Sequence, residues 1–341
     1  MELIPGLPEE LGLECLTRSH YTTHRVASRV SRQWRELLQS REFYCQRKQS
    51  GYTRKMACLV QSIPATVPAA ETPKSVNSLS YGITLFDTVS QTWKRLSLIP
   101  KYPNGLPLFC QLAGCEGKLI VMGGWDPVSF NPVKDVFVYD FVTRQWRQGM
   151  EMPSKRSFFA MGTVDGRVYV AGGHDENKNA LKSAWAYDVR QDHWTELTPM
   201  SQGRDECEGV VVGDEFWVVS GYETNRQGVF ESSVESYRVS TGVWKRVEEA
   251  WKAGQCPRSC VGVGKDGKLV SWAECGLAVR NGACGVGSGG DNLFAGSGCH
   301  GAPKGFFMLE MNGKQNGKLV EIGHVPDEFC GFVQSGCSLE I

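Results

Sequence analysis

From His24 to Ser40, apolar residues fall at Val26, Val30, Trp34, Leu37 and Leu38, with Arg25, Arg29, Arg32 and Arg35 on the opposite side. This is one stripe of an amphipathic helix, and it predicts a helix over the stretch. Upstream, Leu7-Pro8-Glu9-Glu10 has the marks of a helix start, with proline near the first turn and acids at the positive end of the dipole. Leu11 and Leu16 continue its apolar side. Ser40 is placed to cap a short third helix carrying Phe43 and Arg47. Three short helices bury little core, and a unit this small needs a partner. It is either a cap on the downstream domain or a dock for another protein; periodicity alone leaves both open.

Beyond residue 55 the pattern changes to short alternating runs, and a repeat takes over. Gly123-Gly124 is followed by Tyr139-Asp140 and Trp146; Gly172-Gly173 by Tyr187-Asp188 and Trp194; Ser220-Gly221 by Tyr237 and Trp244. The aromatic-to-Trp spacing is seven each time, and Phe86-Asp87 with Trp93 repeats it without a preceding Gly pair. The four Trp lie 53, 48 and 50 residues apart. Each unit opens with paired strand signals, such as Phe158 to Val164, Asp165-Gly166, then Arg167 to Ala171. Such a unit cannot bury both faces alone, so Trp and Tyr pack between neighbours and the Gly pair turns the chain where a side chain would collide.

Clear repeats run over about 56–100, 108–152, 158–200 and 208–250, with degenerate units over 258–341. There, Cys260 to Trp272 reads as a strand pair around Asp266-Gly267, Gly282 to Gly296 as another around Gly290-Asp291, and Phe306 to Met311 as an outer strand. At about 48 residues per unit, residues 56–341 hold six blades of a propeller, or five. Gly331 to Ile341 is expected to pair with Met56 to Gln61 and close the ring. Ser62 to Ser75, rich in Pro, Ala and Thr, is expected to be a loop inside the first blade.

Composition adds mainly exclusions. Thirty-seven basic residues balance 37 acidic ones, so no global field attracts nucleic acid or an anionic membrane. The start, Met1-Glu2-Leu3-Ile4-Pro5, lacks the basic region of a signal peptide, and runs such as Leu119 to Met122 are too short to span a bilayer. Thirteen Cys without a CxxC pair suit reduced thiols, hence the cytoplasm or nucleus. The six His never sit at ligand spacing beside paired Cys, so no metal is expected. Gly285 to Gly290 matches G-x-G-x-x-G, but Asp291-Asn292-Leu293-Phe294 continues it as turn and strand, not as the helix that a dinucleotide site needs. No nucleophile elbow, HExxH or framed carboxylate pair is present, so neither catalysis nor a cofactor is expected.

The order Leu7-Pro8, Leu11, Leu16, Arg18, Val30, Trp34-Arg35, Leu37-Leu38, Phe43, Arg47 resembles the F-box over residues 2–48, with Ser31-Arg32-Gln33 where many members carry Cys-Lys. The Gly-Gly, Tyr, Trp unit resembles the kelch repeat over residues 56–341. Together the two resemble plant F-box/kelch-repeat proteins: a small all-α F-box followed by an all-β propeller. Arg156-Ser157-Phe158-Phe159, Gly172 to Leu181, Asp205-Glu206-Cys207 and Val333 to Cys337 look like one subgroup of these. That subgroup promotes degradation of phenylalanine ammonia-lyase and of type-B response regulators.

The resemblance implies a non-catalytic substrate receptor of a cullin ubiquitin ligase, docked on a Skp-family adaptor through Leu7, Pro8, Leu11, Leu16, Val30 and Trp34. The rival classes are a kelch scaffold outside a ligase and a metal-dependent propeller enzyme. The target protein is expected at one mouth of the propeller. Trp125, His174, Asp175 and Tyr222 come just after the Gly pairs, while Arg156, Arg204 with Asp205, and Arg258 stand at blade entrances and are expected to form a ring of arginines. Arg and aromatic residues are common interface anchors.

Overall fold

The structure is a computed structural model and describes residues 3–64, 80–258, 260–264, 267–272, 284–288, 291–297, 304–310 and 318–341. The N-terminal unit consists of α1 (Glu9–Arg18), α2 (His24–Ala27), α3 (Arg32–Gln39) and α4 (Arg41–Gln49). The single helix expected from His24 to Ser40 is in fact two. Ser31 adopts extended backbone with ψ 167°, and its side chain accepts a hydrogen bond from Trp34 N, so a new helix starts there. Val26 and Val30 consequently leave the apolar stripe and stand 70% and 63% exposed, while Leu38 is buried with Leu16 and Phe43. Ser40 caps α4 as expected, accepting from Phe43 N at 3.1 Å. Arg47, itself buried, donates to the carbonyls of Thr17, Ser19 and Tyr52 at 2.6–2.7 Å and so ties α4 to the end of α1.

From Lys55 onward the described chain is built of strands and loops, with single 3-10 turns at Thr224–Arg226 and Asp327–Phe329. Blade 1 combines β1 (Lys55–Ser62), β2 (Tyr81–Asp87) and β3 (Thr92–Arg95) with β22 (Val333–Glu340). Blade 2 is β4 (Gln111–Cys115), β5 (Lys118–Met122), β6 (Val136–Asp140) and β7 (Gln145–Gln148). Blade 3 is β8 (Ala160–Val164), β9 (Arg167–Ala171), β10 (Ala184–Asp188) and β11 (His193–Leu197). Blade 4 is β12 (Glu208–Val212), β13 (Glu215–Val219), β14 (Val234–Arg238) and β15 (Val243–Val247). Blade 5 holds β16 (Val261–Val263) and β17 (Leu269–Ser271), and blade 6 holds β18 (Cys284–Ser288), β19 (Asp291–Ser297), β20 (Lys304–Glu310) and β21 (Lys318–Glu321). Among the described residues there are thus six sheets, five of four strands and one of two. The expected closure is present: β22 pairs antiparallel with β1, from Lys55 opposite Glu340 to Gln61 opposite Val333. It removes the two edges that an open array would expose.

The seven-residue spacing has a direct structural meaning. Phe86 and Trp93, Tyr139 and Trp146, Tyr187 and Trp194, and Tyr237 and Trp244 are directly opposed partners across the two outer strands of their blades. Their rings lie 4.3–5.1 Å apart. Three of these Trp also reach the preceding blade. Trp146 donates to Ser97 O, Trp194 to Met150 O and Trp244 to Thr198 O at 2.6–2.9 Å. Trp93 instead packs on Phe306 of blade 6 and on Phe329. The hydrophobic core is accordingly a series of clusters between adjacent blades.

Some expectations fall outside the described residues: the blade-1 loop from residue 65 on, Asp266, and Gly289-Gly290 at the end of the Gly-rich run. The preceding Cys284–Ser288 is strand and pairs antiparallel with β19, with no helix in the position a dinucleotide site requires. Among the described residues no helix is long and apolar enough to cross a membrane.

The helical unit sits on one end of the inner strands. Gln39 Nε2 donates to Asp140 Oδ2 at 3.0 Å, Lys48 pairs with Glu340 at 3.0 Å, and Arg144 donates to Thr22 O. Arg41 is the hub: its guanidinium lies 2.6 Å from Glu116 and also pairs with Asp165, each at a turn leaving an inner strand. Since β4 runs from Gln111 to Cys115 and β8 from Ala160 to Val164, Glu116 and Asp165 mark the F-box end, and the far ends of those strands form the opposite mouth, which no described helix covers.

Candidate functional site

Two surfaces carry chemistry not consumed by the fold. The first is on the helical unit. Pro8 occupies the N-cap position of α1 and is exposed, Leu7 is half-buried, and Leu11 and Val30 are 53% and 63% exposed. Leu16 and Trp34 lie behind that surface. Leu16 is buried against Leu38 and Phe43, and the half-buried Trp34 packs on the same cluster while its indole donates to Leu3 O at 2.7 Å. These two hold the helices and the N-terminal turn in place rather than face outward. Arg25, Arg29, Arg32 and Arg35 are exposed, as charged side chains on a solvated helix face are.

The second surface is the mouth away from the F-box, where blades 2, 3 and 4 share one local design. Gly124, Gly173 and Gly221 have φ of +90°, +77° and +87°. A Cβ on Gly173 would stand 2.3 Å from Ser157 O, so no side chain fits there. The residue after each of these glycines, Trp125, His174 or Tyr222, then bridges backbone to backbone with Leu108, Ser157 or Asp205. The next residue in each entrance, Phe109, Phe158 or Glu206, takes a left-handed backbone with φ of +58°, +55° and +49°. Non-glycine residues adopt this conformation at a cost of about 1 kcal/mol or more, and here it turns their side chains to the mouth just before the inner strand begins.

A recess of about 160 Å³ opens between these loops. Trp125, Phe158, His174, Asp205, Glu206 and Tyr222 line it, with Lys178 at its rim. His174 Nδ1 lies 2.8 and 2.9 Å from the two oxygens of Asp205, and both residues are buried. Asp205 also accepts from Glu206 N at 2.8 Å, and Tyr222 OH donates to Glu206 Oε1 at 3.1 Å. Burial first, and then the carboxylates of Asp205 and Glu206, hold the Tyr222 phenol well above its ordinary pKa. Phe109, Trp125 and Phe158 form an aromatic cluster with centroids 5.0–5.5 Å apart, and Arg258 lies over it, its guanidinium 4.2 Å from the Phe158 centroid.

Four of the residues expected at this mouth, Trp125, His174, Asp205 and Tyr222, therefore meet in one recess, and Arg258 stands beside it. Asp175 lies in the loop but serves its turn, accepting from Asn177 N and Asn179 N at 2.9 Å. The expected ring of arginines is not there. Arg156 and Arg204 are 1% and 0% exposed. Arg156 donates to Gly172 O, Ser183 O and two serine hydroxyls. Arg204 donates to Ser220 O, Ser233 O and Ser233 Oγ and pairs with the buried Glu235 at 3.0 Å. Both clamp backbone carbonyls on the two sides of the Gly turn, of which Ser183 O and Ser233 O also accept from Gly172 N and Ser220 N. Burial lowers the Arg156 guanidinium to a pKa of about 10.

Arg258 escapes this fate because Pro257, not Arg258, stands at the clamp position; Cys260 N bonds Pro257 O as Cys110 N bonds Pro107 O. Sequence reasoning missed Phe109, Phe158 and Glu206. The signal was available: each precedes a buried Cys110, Phe159 or Cys207, and aligning the entrances on those residues places all three in one register. Among the described residues no group of three or more His, Cys, Asp or Glu is placed to hold a metal ion.

Comparison with known proteins agrees with this architecture. Residues 4–46 match the F-box domain model, and residues 74–266 match the KLHDC2/KLHL20/DRC7 Kelch-repeats domain model. The F-box/kelch-repeat protein At1g15670 of Arabidopsis thaliana is 33% identical over 100% of both chains. At2g44130 and At1g80440, also F-box/kelch-repeat proteins of Arabidopsis thaliana, are 40% and 41% identical, covering 74% and 73% of this chain and 66% and 70% of theirs. A helical F-box seated on one end of a kelch propeller, with one relative 33% identical along the whole length and two about 40% identical over some three quarters of it, makes the chain a member of the plant F-box/kelch-repeat family.

Proposed function

We propose that this protein is the substrate receptor of a Skp–cullin ubiquitin ligase, docking on the adaptor through its F-box and holding a target protein at the open mouth of its propeller. The observation that carries the reading is the division of labour along the inner strands. One end of β4 and β8 is covered by an F-box that leaves Pro8, Leu11 and Val30 in water; the other end opens on an aromatic and acidic recess. The receptor does no chemistry. It turns an encounter between target lysines and a charged conjugating enzyme into an effectively intramolecular one, committing the target to the proteasome. Its place of action in this reading is the cytoplasm or nucleus.

The likeness of Arg156 to Phe159, Gly172 to Leu181 and Asp205 to Cys207 to one subgroup supports phenylalanine ammonia-lyase or a type-B response regulator as the target. Capture of either by the purified chain, and its loss on Glu206→Ala, is the result expected. The receptor reading itself is tested by capture of a Skp-family adaptor with the intact chain and with Leu7→Ala/Pro8→Ala. Robust capture that the double variant loses supports it. A folded intact chain that captures no adaptor overturns it in favour of a kelch scaffold outside a ligase.

A further inference from the structure

We infer that the recess between the loops of blades 3 and 4 is a socket for one cationic side chain, lysine or arginine, of the held protein. This rests on the reading that the mouth holds a target and adds what it selects. At about 160 Å³ the recess is below the roughly 300–1,000 Å³ of cofactor and drug-sized sites. It suits a single side chain.

Its charge sets the sign. Asp205 and Glu206 both line the recess, and Lys178 is the one cation lining it among the described residues, on an exposed loop position. Two carboxylates thus face a single ammonium in the lining, and Asp205 also holds His174 Nδ1 at 2.8 Å. The hydrogen bond that Glu206 receives there comes from Tyr222, a neutral donor, so its carboxylate keeps acceptor capacity for a charged one. A carboxylate or phosphate entering the recess would face both acids.

The walls suit the rest of the side chain. Trp125 and Phe158 offer aromatic surface for a methylene stem or a guanidinium plane. Arg258 shows that this cluster accepts a guanidinium, since it already lies over Phe158 and Phe109 at 4.2 and 5.8 Å. The indole N–H of Trp125 is buried and has no acceptor among the described residues. A backbone carbonyl of the same bound segment would satisfy it. Finally, Phe158 and Glu206 hold their places through left-handed backbones, which costs stability and orients a ring and a carboxylate toward one space.

The experiment titrates the full-length protein, with ¹⁵N-labelled tryptophan, with N-acetyl-arginine amide and with its neutral isostere N-acetyl-citrulline amide. The Trp125 indole resonance is assigned with Trp125→Phe. A saturable shift with the arginine probe, weakened about tenfold by Glu206→Gln and absent or much weaker with citrulline, is expected. Lys178→Gln, at an exposed position, should tighten the arginine probe about twofold. Equal response to the two probes, no saturable shift with either, or weaker arginine binding by Lys178→Gln overturns the inference. Adaptor capture is scored on the same preparations. If capture persists while the arginine probe fails, the cation socket is wrong and the receptor reading stands; the converse rejects the receptor and keeps the socket.

Discussion

In the F-box the apolar side chains left in water are aliphatic, Leu11, Val26 and Val30, whereas the side chains gathered half-buried at the propeller's recess are aromatic and charged, Phe109, Trp125, Glu206 and Arg258. Inside, the two regions use one device: Arg47 in the F-box, and Arg156 and Arg204 in the propeller, are buried and spend their donors on backbone carbonyls. The difference lies in what each unit can bury by itself. Four short helices enclose only a small cluster around Leu16, Leu38 and Phe43, so apolar surface remains for a partner to complete. Among the described residues, successive sheets of the propeller bury their apolar faces on one another, and selective chemistry is left to the loops at one mouth.

The largest effect that would break this comparison lies in the propeller. Arg204→Ala leaves Glu235 buried without its cation and is expected to destabilise by about 3–5 kcal/mol. Arg156→Ala, at the same register with no carboxylate partner, should cost about 1–3 kcal/mol. Urea unfolding of both variants measures the gap; equal losses would mean that the ion pair adds nothing beyond the carbonyl clamp.

In the F-box the sensitive group is His24. Burial, and then the charge of Arg47, lower its pKa from the ordinary 6.5 to about 4. Between these values the unfolded chain takes up a proton that the folded chain refuses, so acid favours unfolding. Stability from this source is complete above pH 6.5 and falls by up to about 3 kcal/mol as the pH drops toward 4. Denaturation midpoints measured across that window should steepen for the native protein, and His24→Leu should flatten the slope. An unchanged slope in the variant would locate the acid sensitivity elsewhere.

The exposed aliphatic surface gives the sharpest contrast between binding and stability. Val30→Asp is expected to weaken adaptor binding more than tenfold while changing unfolding free energy by less than about 0.5 kcal/mol, as surface substitutions do. Calorimetric binding beside thermal melts reads both; a large loss of stability would instead make Val30 part of the F-box core. The smallest effect is expected at the seam. Arg41→Ala removes two partly exposed ion pairs, and solvent screening limits its cost to about 1 kcal/mol or less. A loss above that would show the seam to be a stability element of its own.

Much of the architecture was legible because it depends on local spacing. A seven-residue Tyr-to-Trp interval is what directly opposed positions across the hairpin of the two outer strands produce, so it marks the blades. Ser40 caps through a neighbour three residues away. The break at Ser31 was equally local but hidden, because the apolar stripe runs through it and outweighs a serine in any periodicity reading. At the mouth, residue type misled. Arginine before a strand suggested an exposed anchor, yet Arg156 and Arg204 face inward, where one fork of donors reaches carbonyls on both sides of the Gly turn.

By itself, then, the sequence determined the two-part organisation, the repeat and its closing strand, and the family, since each is written in spacings within one hairpin or helix or in motif order. Only the tertiary structure decided which arginines are structural and that Glu206 and Tyr222 share one recess with His174 and Asp205. It also decided which F-box positions stand in water. Those outcomes depend on contacts between loops of successive blades, such as His174 with Asp205 across 31 residues, and burial across such separations is set by ring closure, not by any local pattern.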